Sequence, residues 1–586
     1  MSLSIARYAA YSALTTTQSQ ISVSSANIAN ADTDGYTKKT ATQASTTSNG
    51  IGTGTTITGI TSNVDKLLLK QLNQAESALG AATVTDSYAS QLQSAMGSVS
   101  GSDGTGTSIA NSLASLASAL SQLADTPEST TLQSQFVTTL DDLAAQLRDT
   151  SASIQDLRSS ADQEIGSDVD EANDLLDTID DLNKQIMSAS ASGNSTADLE
   201  DQRNQALKSL SSLMDINYYS TSSGAVQVYT SGGTALLDGT VHHMSFDAAG
   251  TVTAASTYSA SGSSALSGIT VDGKDITGEI KSGSIAALVE QRDETLPAVQ
   301  AELDQLAVQL ANALNSVANT GSASPPPNSL TGSTAVSAAD AFSGTGTVRI
   351  AVTDDSGNLV SYQDLDLSSY ATVGDLVSAL DNISGVSASV GADGRVTIAA
   401  ESAGNGIAIN ELTSAVGADG EGLSSWLGLN DIVSATGASD FAVKSSLLAD
   451  TSLLPVSTLD DTATLATGAQ VVAEGSSTIA QQLYDTLTGN QAFDAAGDLS
   501  ARKTSFSSYA STIISEVAAD ATSAATALTT KQTIESNLAT SISSASGVNI
   551  DEETARLSQL QNEYAAAAQL VQILNSMFES LLGTLE

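Results

Sequence analysis

The residues equipped for chemistry in this chain are few and poorly grouped. His242 and His243 are its only imidazoles, and it has no cysteine. As a metal pair the two histidines lack a third ligand, and a nucleophilic triad would have only these rings to draw on. Both are expected at a strand edge, in surface or packing roles. Carboxylates are plentiful: Asp168, Asp170, Glu171, Asp174, Asp177, Asp180 and Asp181 crowd one stretch. Asp174, Asp177 and Asp181 share one side of a helix whose other side is Leu175, Ile179 and Leu182, which is the pattern of a solvated face. A calcium loop needs alternating ligands around a turn glycine, and these are absent here. Gly101-Ser102-Asp103-Gly104-Thr105-Gly106 is glycine-rich, but it neither follows a strand nor carries the lysine of a phosphate loop. A pair of glycan-cleaving carboxylates within a β domain is the enzymatic alternative. The expectation is a chain with no catalytic residues, no metal site and no cofactor.

Composition narrows the partners. Against 65 acidic residues stand 20 basic ones, a formal net charge of -45. Such a surface repels phosphate backbones and anionic lipid, so neither nucleic acid nor membrane is expected as a partner. Without cysteine there is neither a disulfide scaffold nor a thiolate zinc site. Arg7 near the N-terminus is not accompanied by an apolar leader core or a cleavage-like site, and no apolar run reaches the roughly 18 residues of a membrane span. A secreted destination therefore calls for an export route other than an ordinary signal peptide.

The elements that must position these residues are mostly helices. Ile550, Leu557, Tyr564, Val571, Phe578 and Leu585 recur every seven positions, and Leu560, Ala567, Leu574 and Leu581 form a second series offset by three. Together they make one apolar seam, which needs a partner helix. The other comparable stretch is residues 3–30, where Leu14, Ile21 and Ile28 repeat every seven with small Ala10, Thr17 and Ser24 between them. It holds no acid and many hydroxyl residues, so it depends on a partner for order. Asn30, Asp32, Asp34 and Gly35 then form a turn signal that stops it.

The fold expected is mixed α and β and multidomain. It has long antiparallel helices and terminal coiled-coil helices, with a small β unit and an inserted β-rich outer domain. The boundaries read from periodicity and breakers are as follows. An N-terminal axial helix and extended segment occupies 1–60, and a helical body 61–214. Within the body Phe136 to Ala161 and Leu175 to Ile186 form separate faces. A small β unit spans 215–280 and more helical body 281–322. After the Pro325-Pro326-Pro327 spacer comes the β-rich outer domain at 328–475, with Trp426 as a core anchor. Helix returns over 476–545, and the C-terminal coiled-coil helix fills 546–586, capped by Asn549 or Asp551.

Asn27-Ile28-Ala29-Asn30-Ala31-Asp32-Thr33-Asp34-Gly35-Tyr36 resembles the N-terminal motif of bacterial flagellar rod, hook and hook-associated proteins. Within that axial family, four stretches in order are similar to the hook-associated protein 1 group: residues 1–40, 198–239 (opening Asp198-Leu199-Glu200-Asp201-Gln202-Arg203), 283–320 and 547–582. Trp426-Leu427-Gly428-Leu429-Asn430-Asp431 resembles a segment that closes the group's variable domain. The resemblance implies a non-enzymatic structural subunit of the flagellum at the distal end of the hook, secreted unfolded by type III export. It implies a ring of about eleven copies of itself, stacked on hook protein below and on the second hook–filament junction protein above. An export chaperone would hold the C-terminal helix. The implied axial interface is Leu14, Ile21, Asn27, Ile28, Asn30, Gly35 and Tyr36, with Leu557, Leu560, Tyr564, Val571, Leu574, Phe578 and Leu581. Alternatives are another axial protein (the second junction protein, flagellin or hook protein) or a secreted adhesin or glycan-cleaving protein.

Overall fold

A computed structural model describes residues 3–48, 50–98, 106–261 and 264–583. Leu585 and the glycine run from Gly101 to Thr105 lie outside them. The chain opens with α1 (Leu3–Ala29), the antiparallel hairpin β1 (Lys39–Ser48) and β2 (Ile51–Ser62), α2 (Lys66–Met96), α3 (Ile109–Asp125), α4 (Thr130–Ala191) and α5 (Ala197–Leu213). Short strands occupy 216–275, followed by α6 (Ser284–Glu290), a π-helical turn (Gln291–Thr295) and α7 (Leu296–Ala318). A β-rich stretch carries α8 (Val373–Asp381), α9 (Leu423–Leu427) and α10 (Ser445–Ala449). Then come α11 (Thr478–Thr488), a short hairpin (Gln491–Phe493 with Arg502–Thr504), α12 (Phe506–Ser546) and α13 (Ile550–Gly583).

The two faces expected within 130–186 belong to one helix, α4, of 62 residues. The break between them has no strong cause: Gly166 is the sole glycine there, and an interior glycine costs only about 1 kcal/mol. The helix runs through, and its phase puts Leu176 rather than Leu175 in the core.

The chain divides into two compact units, each built from discontinuous segments. The first comprises Met1–Tyr88, Ser159–Asp293 and Thr522–Glu586. In it α1 packs along α13 and against β2. Gly54, at φ +139°, allows the strand to close on α1, because a Cβ there would meet the Ser12 hydroxyl at 2.0 Å. Lys208 on α5 reaches Glu76 on α2 (3.0 Å) and Glu535 on α12 (3.8 Å). A small antiparallel sheet of residues 216–220, 226–230 and 235–237 is held to α4 by Asn183. That side chain donates to the Val226 carbonyl (2.8 Å) and accepts from the Val226 N–H (2.9 Å).

The second unit comprises Ala89–Arg158 and Glu294–Ala521. Its helical part packs α11 against α3 and α7, burying leucines at three- and four-residue steps such as Leu113, Leu116, Leu120 and Leu123. In the β-rich part, strand Thr347–Asp354 lies between Leu359–Asp366 and Asn405–Asn410. Val348, Ile350 and Val352 face the main core with α8, while Ala351 faces a second cluster with Leu459, Val471 and Val472. With both faces covered, the strand is buried almost throughout and loses its polar alternation. Trp426, expected as a core anchor, is only half-buried at the core's edge, its ring edge-on to Phe342 at 5.5 Å. Leu423 and Leu427 of the same helix fill the centre.

Candidate functional site

The two terminal helices run antiparallel: Ser24 of α1 meets Glu553 of α13, and Arg7 lies over the Phe578 ring at 5.5 Å. On α13 the covered positions include 553, 557, 560, 564, 567, 571, 574 and 578, in steps of four and three, with 556 and 568 partly covered at their flank. On α1 the small residues are the ones driven furthest in, with Ala10, Thr17 and Ser24 buried while Leu14, Ile21 and Ile28 are partly covered. Small side chains let the backbones approach and leave the larger ones to flank the contact.

Where α13 begins, a polar node replaces the apolar seam. Asn549 accepts from the N–H groups of Asp551 (3.0 Å) and Glu552 (3.1 Å), so it is the cap. Glu553, only 1 % exposed, accepts from the Ser24 hydroxyl (2.6 Å) and from Asn27 Nδ2 (3.3 Å), and Lys38 Nζ stands 3.2 Å away. Burial by itself raises a carboxyl's pKa, but these hydrogen bonds and the Lys38 charge outweigh it and hold Glu553 below its usual value. Lys38 also pairs with Glu552 at 2.9 Å, and that hydrogen bond holds its own pKa above the usual value despite burial.

Asn27 ties the node to the turn that follows. Its Oδ1 accepts from the Lys39 N–H and the Tyr36 hydroxyl (both 3.0 Å), and its Nδ2 donates to the Lys39 carbonyl (2.9 Å). Beyond it Asp201 of α5 accepts from the Thr37 N–H (3.0 Å), the Thr37 hydroxyl (2.7 Å) and the Lys39 ammonium. Lys39 also lies 4.8 Å from the Tyr36 ring centre. Burial, then the charges of Asp198, Asp201 and Glu553, push the Tyr36 hydroxyl up to about 12. Gly35 takes φ +72°, with the Gln205 side chain against it. Arg203, from the same stretch as Asp201, is buried and donates to the Gly224 carbonyl (2.7 Å) and Asn183 (3.0 Å).

The fourteen interface candidates thus fall in different places. Asn27 and Leu560 are buried; Leu14, Ile21, Ile28, Asn30, Tyr36, Leu557, Tyr564, Val571, Leu574 and Phe578 are partly covered. Gly35 is exposed at its turn, and Leu581 is 54 % exposed. Sequence reasoning missed Ser24 as a polar partner, and also Lys38, Lys39, Asp201 and Glu553. For Glu553 a signal was present, because it stands one heptad before Leu560, at a position where a charge needs a partner.

Beyond the seam, Leu570, Ile573, Met577, Leu581 and Leu582 of α13 are exposed, as are Tyr8 and Tyr11 of α1. Among the described residues, no cluster of three or more His, Asp or Glu side chains is placed to hold a metal ion. No helix there is long and apolar enough to cross a membrane. His242 lies 2.7 Å from Asp272 and 3.3 Å from Asp238, and His243 lies 3.0 Å from Asp177. Both histidines therefore act as tethers within the small β unit and to α4.

Three family models match successive parts of the chain. The Flagellar hook-associated protein FlgK helical domain covers residues 89–325, the Flagella basal body rod protein family residues 8–37, and the Flagellar basal body rod FlgEFG protein C-terminal family residues 540–584. The chain is 24 % identical to flagellar hook-associated protein 1 of Salmonella typhimurium over 584 residues, 98 % of each chain. It is 21 % identical to flagellar hook-associated protein 1 of Escherichia coli over 587 residues, again 98 % of each. Its fold is similar to that of the flagellar hook junction protein FlgK from Burkholderia pseudomallei (TM-score 0.51, 16 % identity), covering 80 % of this chain and 99 % of that one.

Proposed function

We propose, on the premise that the chain belongs to the flagellar hook-associated protein 1 family, that its α1–α13 pair is the element through which it builds the junction between hook and filament. The protein is a structural, non-enzymatic subunit of the flagellum, outside the cell at that junction. One observation carries the assembly reading. The seam of α13 closes on α1 within the chain, yet a second stripe, Leu570, Ile573, Met577 and Leu581, is largely exposed to solvent, as are Tyr8 and Tyr11 of α1. Apolar side chains at i, i+3, i+7 and i+11 on an exposed helix mark a face that another helix covers.

The occupant is a neighbouring copy in the ring, with hook protein and the second junction protein as the axial partners below and above. The interface candidates divide accordingly. Asn27, Gly35, Tyr36 and Leu560 set the shape of the paired helices, and Leu581 with its stripe meets the next subunit. Before export a chaperone would shield the same exposed stripe. Ending the chain after Asn562 removes this stripe and most of the seam but leaves the rest of both units. The truncated protein should fold and fail to incorporate at the hook. Normal incorporation would overturn the proposal. Loss of the gene should leave intact hooks without filaments; hooks that also disappear would favour a different axial role.

A further inference from the structure

Glu302 of α7, in the second unit, is a buried carboxylate that none of the assembly contacts uses. It is 2 % exposed and accepts from the Asp498 N–H at 3.0 Å. Asp498 sits in the turn of the Gln491–Thr504 hairpin, next to Gly497. A Cβ on Gly497, which takes φ +55°, would meet the Ala298 carbonyl oxygen at 2.3 Å and Glu302 Cγ at 2.8 Å, so the turn backbone rests directly on α7. Phe493 stacks on Tyr509 at 4.0 Å and meets Phe506 edge-on at 5.5 Å, joining the hairpin to the start of α12. Among the described residues, the buried Tyr509 hydroxyl has no hydrogen-bond partner.

The charges around this point are nearly all of one sign. Across from Glu302 of α7, the hairpin contributes Asp498, with Arg502 near Tyr509. From α12 come Glu516 and Tyr509, and Asp520 faces Asp498. No ion pair to Glu302 is formed among the described residues. An ionised Glu302 is therefore a buried anion next to other anions, with backbone N–H groups as its compensation. A protonated Glu302 removes that conflict.

We propose that Glu302 is a proton-operated latch: protonated, it holds the 491–504 hairpin and the first turns of α12 against α7, and ionised, it loosens them. Burial first, then Glu516 and Asp498, push the carboxyl up to about 7 from its usual 4.5. In the undocked state the side chain is solvated and titrates at its usual value. The docked state thus holds the proton more tightly. Docking is strongest below 4.5, weakens as pH rises from there to about 7, and stays at the weaker level above. Between those limits the undocking equilibrium grows about tenfold per pH unit.

Hydrogen exchange of the Asp498 and Leu499 amides in the full chain, corrected for intrinsic rates, tests this. The Ile350 and Ile407 amides of the β-rich part serve as reference. From about pH 5 to about pH 7.5 the hairpin's opening equilibrium should rise about sixtyfold, with Glu302→Gln flat over the same range. A flat wild type, or a variant that follows the wild type, overturns the latch. If Glu302→Gln does not fold, the carboxyl titration of Glu302 by carbon NMR decides with the wild type alone. A midpoint near 7 supports the latch, and one at the usual carboxylate value overturns it.

Discussion

Glu553 occupies a seam position that ordinarily takes an apolar side chain, and at 1 % exposure it keeps its charge only through Ser24, Asn27 and Lys38. Removing the carboxylate leaves those donors facing nothing. Glu553→Ala should weaken the α1–α13 pairing by about 3–5 kcal/mol. Glu553→Gln, which still offers an acceptor, should cost about 1–2 kcal/mol. Denaturant titration followed by protease protection of α1 reads both. The pH response follows from the same contacts. Glu553 titrates below 4.5 when paired, so its contribution is whole above 4.5 and lost as pH falls through the lower, folded value. Lys38 titrates above 10.5 when paired, so its contribution is whole below 10.5 and lost as pH rises through the higher value. Pairing of the termini should therefore be flat between these limits, across the window in which the Glu302 hairpin loosens.

At the scale of elements, α13 is long but thinly buried. Of its residues Ile550–Gly583, Glu553, Leu560 and Ala567 are the buried ones. Leu560→Ala should cost about 2–3 kcal/mol of pairing, because it deletes the one large apolar side chain fully inside the contact. Ile573→Ser and Leu581→Ser touch the exposed stripe instead. They should leave the monomer's stability within about 0.5 kcal/mol of the wild type and reduce incorporation at the hook, scored by the fraction of hooks carrying filaments. Equal incorporation would show that the stripe has no partner. α1 is similarly shallow, burying Ala10, Thr16, Thr17, Ser24 and Asn27. In dilute monomer, limited proteolysis should trim residues of α1 and α13 first and leave a resistant body.

For the whole molecule the governing quantity is charge. In the proposed ring, a subunit at -45 would have to approach copies of equal charge, and like charges beyond contact distance repel over the Debye length. That length shrinks from about 30 Å at 0.01 M salt to about 8 Å at 0.15 M. Ring formation by the purified protein should be faster at the higher salt, as read by light scattering. A rate that falls with salt would mean that oppositely charged patches, not apolar stripes, guide the encounter.

Much of this was legible in the residues alone. Heptad spacing at 550–581, the acid-free first helix and the Asn27–Tyr36 turn are local patterns; they determine element type and the mixed fold class, and the Asn27–Tyr36 motif carries the resemblance to flagellar axial proteins. The scarcity of histidine and the absence of cysteine weigh against metal and nucleophile chemistry from composition alone. Phase and pairing were not legible. Whether Leu175 or Leu176 enters the core depends on one helix continuing past Gly166, and Trp426 yields the core to Leu423 and Leu427 because their neighbours come from distant strands. The node at Glu553 depends on residues more than 500 positions apart, Ser24 and Lys38, meeting it. Glu302 is one carboxylate among 65 acidic residues until the hairpin folds over it. Sequence spacing determines which side of a helix is apolar. Only the tertiary structure decides which polar groups are shut away from water, because desolvation depends on what lies across the contact.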